Sequence, residues 1–268
     1  MKHTITGNDA TSSYFHEKSR SPHDQRLVTL LLIHGFLDDH TVWDGLVDEL
    51  DGAFPIARFD LPGSGTRLDD SVESGLSGFA ADAAAIVDDL EGDVILVGQS
   101  MGAQVAELVA IDRPKSVVGL VLVAPIPIGG TRLPGEALGR FKSLGGQVEM
   151  QASARKLVSP ALTEEKIEKL TLVGATVSPD NVIRYVDMWN DGIDGQDGPS
   201  TYQGPTLVVH GGSDGFVSGD LVSGIVLPRF ANVDSVVFPE GGHWLHVEFP
   251  ERLAAEVSRF VEKVASRQ

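Results

Sequence analysis

The segment Gly98-Gln99-Ser100-Met101-Gly102 follows directly on the apolar run Val94-Ile95-Leu96-Val97 and leads into residues 103–111, a helix-forming stretch. A serine in the pattern G-x-S-x-G between a buried strand and a helix has its hydroxyl exposed on a tight turn, which the flanking glycines permit. The start of the helix aims unpaired N–H groups at any anionic oxygen formed beside that hydroxyl. The chemistry to expect is nucleophilic attack by Ser100 on a carbonyl carbon. A serine attacks only when a base removes its proton, so a histidine held by a carboxylate must lie within reach.

The chain has eight histidines. His243 follows Gly241-Gly242 just past the apolar run 233–238, at the C-terminal end of an expected strand, where open α/β sheets place their sites. His246 competes with it three residues on. The pair also has the spacing of two metal ligands, but no third ligand accompanies it, so neither a metal nor a cofactor is expected. His34, His210 and the N-terminal histidines read as structural or solvated. The run Val208-Val209-His210-Gly211-Gly212-Ser213-Asp214 puts Asp214 at the end of another strand, whereas Ala124-Pro125-Ile126-Pro127, after the preceding one, offers no acid. The catalytic set is therefore Ser100, Asp214 and His243, in a chain order distinct from the chymotrypsin and subtilisin orders.

These residues need a sheet to converge on. Apolar runs of strand length recur at 27–33, 56–59, 94–97, 117–123, 206–209 and 233–238, without the alternation of a half-exposed strand, as in a parallel sheet covered on both faces. Phe79, Ala83, Ile86, Val87 and Leu90 share one helical stripe, and Leu253, Val257, Phe260, Val261 and Val264 repeat the spacing. The fold class is α/β, a mostly parallel central sheet with helices on both faces. Thr4-Ile5-Thr6 and the segment around Tyr14, separated by Gly7-Asn8-Asp9, predict an N-terminal β-hairpin. Between residues 126 and 204 no buried strand is evident. Thr163 before two glutamates, Ser178 before Pro179, and the stripe Val182, Tyr185, Val186, Trp189 mark helices instead. The expected organisation is a core of 1–125 and 205–268 interrupted by a helical lid at 126–204, with the Gly/Asp-rich stretch 191–200 as its closing loop.

The elbow and the triad order resemble those of the α/β-hydrolase superfamily, and the resemblance spans nearly the whole chain apart from the insertion. Ile33-His34-Gly35-Phe36 looks like the family's H-G-x segment, Asp60-Leu61-Pro62-Gly63-Ser64-Gly65 like its D-x-x-G-x-G turn, and Gly242-His243 through Glu248-Phe249-Pro250-Glu251 like the region of its histidine. The resemblance implies an oxyanion hole built from the backbone N–H groups of Phe36 and Met101, and a packing role for Trp43. Phe141, Tyr185, Met188 and Trp189 in the insertion, with Leu37 and Trp244 from the core, are the expected substrate pocket, the alternative for the insertion residues being that they only pack the lid down.

The implied reaction is hydrolysis of a small or medium carboxylic ester or lactone, with water as co-substrate. Serine at position 100 disfavours the aspartate-dependent dehalogenases and epoxide hydrolases. His34-Gly35-Phe36-Leu37 also resembles the menaquinone-pathway lyase that eliminates pyruvate, but Gln104 stands where that family carries an arginine for its anionic substrate. A carbon–carbon bond hydrolase, a perhydrolase and a ligand-sensing receptor are further alternatives. The 268 residues carry 38 acidic against 21 basic side chains, a net charge of −17, which repels nucleic acid and anionic membranes. With no cysteine there is no disulfide scaffold and no thiolate site. No apolar run reaches the roughly 18 residues of a membrane span, and Met1-Lys2-His3-Thr4-Ile5-Thr6 lacks the apolar core of a signal peptide. A cytoplasmic monomer or homodimer is expected.

Overall fold

A computed structural model describes residues 3–6, 13–17 and 28–266. Eight strands, β1 (His3–Thr6), β2 (Ser13–Glu17), β3 (Val28–Ile33), β4 (Ile56–Phe59), β5 (Asp93–Gln99), β6 (Val117–Val123), β7 (Thr206–Gly211) and β8 (Val233–Phe238), form one sheet in the order β1-β2-β4-β3-β5-β6-β7-β8. β3 to β8 are parallel to their neighbours. β1 and β2 add an antiparallel pair that continues on β4, as the expected hairpin requires, while its turn at Gly7-Asn8-Asp9 and Leu27 lie outside the described residues.

The sheet separates two cores. In β3, Leu31 and Ile33 face one side and Leu30 and Leu32 the other, all four fully buried. Helices α1 (Asp44–Leu50) and α10 (Pro250–Ala265) cover the second face, where Trp43 packs with Leu46 and Leu253. Helices α2 (Gly75–Asp89) and α3 (Met101–Asp112) cover the first through Phe79, Ala83, Val105 and Val109. β8 departs from expectation. It is the sheet's edge, with Asp234, Ser235 and Val237 exposed and only Phe238 buried, because no further strand covers its outer side.

Between β6 and β7 lie four helices, α4 (Gly135–Lys142), α5 (Val148–Val158), α6 (Glu164–Gly174) and α7 (Pro179–Asp191). Thr163 caps α6 by accepting from the Lys166 N–H, and Ser178 caps α7 by accepting from Asn181 with Pro179 in the first turn. Val182, Tyr185, Val186 and Trp189 of α7 join the same core as α2 and α3, and Ile167 and Leu170 of α6 join the core on the other face, so these two helices are packed onto the body of the protein. After β7 come the short α8 (Gly219–Leu221) and, past β8, α9 (Leu245–Glu248). No helix among the described residues is long and apolar enough to cross a membrane.

One buried ion pair ties the closing loop of the insertion to α3. Arg229 Nη2 donates to Glu107 Oε1 at 2.7 Å while its Nη1 donates to the carbonyls of Gln196 and Gly198. Both side chains are nearly solvent-free, so removing one partner strands a buried charge. Glu107→Ala is expected to lower the unfolding free energy by about 3–5 kcal/mol in urea denaturation. Glu136→Ala, which deletes the exposed pair with Arg140, should change it by less than about 0.5 kcal/mol.

Candidate active site

Ser100 joins β5 to α3 with φ 54 and ψ −117, a left-handed conformation that strains a residue bearing a Cβ. Its N–H donates to Val123 O of β6 at 3.0 Å, and its carbonyl accepts from Ala103 at 3.0 Å, which fixes the turn from both sides. The side chain makes no capping bond to α3, so the hydroxyl is not spent as a helix cap. The flanking glycines act through close approach rather than positive φ. A Cβ on Gly102 would sit 2.3 Å from Ile33 O, and one on Gly98 would sit 2.4 Å from Gly102 O. The first turn of α3 thereby comes against the end of β3, bringing the Met101 region beside the segment His34-Gly35-Phe36.

His34 organises that segment. Its Nε2 accepts from the Leu61 N–H at 3.0 Å, so the ring proton is on Nδ1, which donates to Gly35 O at 2.9 Å. The Gly35 carbonyl and the Phe36 N–H belong to one peptide plane, and the bond that holds the first orients the second. The Asp60 turn supports the same loop: Asp60 accepts from the backbone N–H of His40 at 2.7 Å and of Thr66 at 2.8 Å. Burial alone would raise the Asp60 carboxyl, but the His40 ring bonded to it at 2.9 Å, the electrostatic influence of His34 and the Thr66 bond outweigh burial and hold the group well below the usual carboxylate range. Asp39, His40 and Asp60 have a spacing compatible with a metal, but these bonds already occupy Asp60.

Asp214 and His243 meet at the ends of β7 and β8. Asp214 Oδ1 accepts from the N–H groups of Phe216 at 2.8 Å and Val217 at 2.9 Å, which leaves Oδ2 to face His243 Nδ1 at 2.8 Å. An ionised carboxylate only accepts, so Nδ1 carries the proton and Nε2 presents its lone pair. The His243 carbonyl accepts from Gln99 Nε2 at 3.1 Å, so the residue preceding Ser100 is stitched to the His243 loop. The Gly242 N–H donates to Glu248 Oε2 at 2.7 Å, and burial pushes that carboxyl up against the pull of the bond. His246 is elsewhere: its ring packs on Trp43 at 4.4 Å, fully buried, with both nitrogens unpartnered. His210 is buried at β7.

Aromatic rings crowd the imidazole. Phe216 stands edge-on to His243 at 5.5 Å and meets Phe141 at 5.2 Å and Trp189 at 5.5 Å, while Phe36 lies 6.1 Å from Trp189. Of the expected pocket residues, Trp244 lies against His243 itself at 5.1 Å, while Phe141 and Trp189 reach it through Phe216. Met188 lines a groove of about 420 Å³ between the start of α2 and α7. Tyr185 is drawn into packing against Phe79, its hydroxyl bonded to Pro62 O. Leu37 is buried at φ 60, and Trp244 Nε1 donates to Asp38 at 2.8 Å. Gln104 donates to Pro127 O at 2.9 Å and Trp189 O at 3.1 Å, acting as a strut between α3 and α7. Sequence reasoning missed Phe216, Gln99, Asp38 and the role of His34. Of these, only Phe216, an apolar residue two positions after the acid, carried a local signal.

The profile of the alpha/beta hydrolase family matches residues 30–256. The chain is 29% identical over 268 aligned positions to an sn-1-specific diacylglycerol lipase of Mus musculus, covering 89% of this chain and 82% of that protein. It is 26% identical to the pimeloyl-acyl-carrier-protein methyl ester esterase of Yersinia enterocolitica, covering 87% and 93% of the two chains. Among solved structures it superimposes on an esterase from Exiguobacterium antarcticum with a TM-score of 0.82 at 18% identity, over 98% of this chain and 100% of that one.

The burial of His246 has a consequence for stability. Burial, with the charge of His243 second, lowers the His246 pKa from 6.5 to about 3. Between those values the unfolded chain binds a proton that the folded chain does not, so this residue's share of stability is lost as pH falls from about 6.5 toward 3, by at most about 1.4 kcal/mol per pH unit. His246→Phe, which keeps a ring on Trp43, should flatten the decline of unfolding free energy between pH 6 and 4. Parallel curves for the two proteins would contradict the assignment.

Proposed function

The chain belongs to the alpha/beta hydrolase family, and we propose that it is a serine hydrolase that cleaves a small or medium carboxylic ester or lactone through an acyl-enzyme. The observation that carries this reading is the Asp214–His243 pair at 2.8 Å, tied through Gln99 to a strained Ser100 whose hydroxyl does not cap α3. Ser100 Oγ attacks the carbonyl carbon as His243 Nε2 takes its proton, and Asp214 stabilises the imidazolium. The N–H groups of Phe36 and Met101 hold the oxyanion. Collapse of the tetrahedral intermediate breaks the bond to the alcohol oxygen, which leaves with the proton from His243. Water then repeats the sequence on the acyl-enzyme, releasing the acid and restoring Ser100.

The wall formed by Phe36, Phe141, Trp189 and Phe216 favours an uncharged, apolar acyl or alcohol group. The ester-cleaving activities named for the mouse and Yersinia relatives support the same substrate class. Pyruvate elimination fits less well, because Gln104 is neutral and both its N–H donations go to backbone carbonyls.

Activated esters of increasing acyl length and a set of lactones, assayed with wild type beside Ser100→Ala, test the proposal. Wild type should release alcohol in a burst, and Ser100→Ala should lose at least about a thousandfold in kcat. Asp214→Asn should lose a comparable factor by favouring the wrong imidazole tautomer. Undiminished turnover in Ser100→Ala, or release of pyruvate from a lyase substrate in place of ester cleavage, would overturn it.

A further inference from the structure

We infer that Arg155, on the inserted helix α5, is a positioning residue that holds the oxyanion loop and the His243 loop in mutual register. The inference rests on the serine-hydrolase reading above. Arg155 is nearly solvent-free, and its guanidinium joins three separate segments. Nη2 donates to Leu37 O at 2.7 Å and to Leu170 O at 3.2 Å, and Nη1 donates to Asp38 Oδ1 at 3.1 Å. The guanidinium carbon lies 4.6 Å from the centroid of the Trp244 ring. Asp38 shares its other oxygen with that residue, accepting from Trp244 Nε1 at 2.8 Å.

Each end of this network touches the reaction machinery. Leu37 and Asp38 directly follow Phe36, the proposed oxyanion donor, and Leu37 has φ 60, a conformation a branched side chain holds only under restraint. Trp244 directly follows His243. Just past the end of the same helix a second strap closes on the same loop: Ser159 Oγ accepts from the N–H groups of His243 at 2.7 Å and Trp244 at 3.0 Å. The inserted segment therefore serves as a brace for catalysis as well as a cover.

Stability alone does not require such a pair, since apolar residues of similar volume commonly replace a buried ion pair without loss. Arg155 Nε is also left without a partner. Position is what the pair supplies. The oxyanion donors must lie about 2.7–3.1 Å from an atom that becomes charged only in the transition state, and a displacement of about 1 Å costs roughly a hundredfold.

The test compares wild type, Arg155→Lys, Trp244→Phe and the double variant Asp38→Asn/Arg155→Met. The double variant leaves no buried charge uncompensated and so keeps a folded comparison available. Active sites are counted by fluorophosphonate titration, and kcat, KM and the inhibition constant of a trifluoromethyl ketone, which mimics the oxyanion, are measured per titrated site. The double variant should lose about 10- to 100-fold in kcat with KM within about twofold. The ketone should weaken by the same factor as kcat, Trp244→Phe should show a smaller loss of the same kind, and Arg155→Lys should recover part of it. Wild-type kcat per site in the double variant, or a change confined to KM, overturns the inference while leaving the serine-hydrolase reading intact. A wild type that takes no phosphonate at Ser100 overturns both.

Discussion

The structure depends on holding Ser100 at φ 54 and ψ −117. That backbone costs on the order of 1–3 kcal/mol and persists only where its surroundings leave no alternative. Here β5 enters the turn at the middle of the sheet, β6 accepts the Ser100 N–H at Val123, and α3 leaves so close to β3 that residue 102 has no room for a side chain. At this turn the chain leaves the strand and enters α3 without the Ser100 side chain capping the helix. A less tightly packed junction would let Ser100 relax into ordinary helix-capping geometry.

The rest of the site follows from strand order. Because β7 and β8 lie successively beyond β6 and run parallel to it, the loops at their C-terminal ends bring Asp214 and then His243 to the same end of the sheet as Ser100. His34 and Asp60 discipline the loop after β3 through backbone bonds rather than by touching any reacting atom. Four helices are inserted between β6 and β7, and Tyr185 and Trp189 of α7 share one core with α2 and α3, with Phe141 of α4 packed against it. The inserted segment is thus tied to the loops after β3 and β8 through Ser159 and Arg155, and to α3 through Gln104.

Much of this was legible in the sequence where the signal is local. β4, β6 and β8 begin and end where their apolar runs do, and α6 and α7 start at the caps that Thr163 and Ser178 announce. The family resemblance rests on four short motifs in order, each tied to a backbone turn. β8 was misread as buried because Val233, Val236 and Val237 look like a core strand until the sheet's edge is known. α4 and α5 gave no distinct signal, since Pro134 and Gln147 provide no side-chain cap at their starts. Arg155 and Asp38 were invisible for a deeper reason. They stand 117 positions apart, and nothing near either one marks it as half of a pair.

In the proposed reaction His243, aligned by Asp214, activates the Ser100 hydroxyl. The most direct measurement is the rate at which a fluorophosphonate forms a covalent adduct, with the modified residue identified by peptide mapping, in wild type and in His243→Gln. One adduct per chain is expected, on Ser100, forming at least about a hundredfold more slowly without the imidazole base. An adduct on another residue, or equal rates in the two proteins, would contradict it.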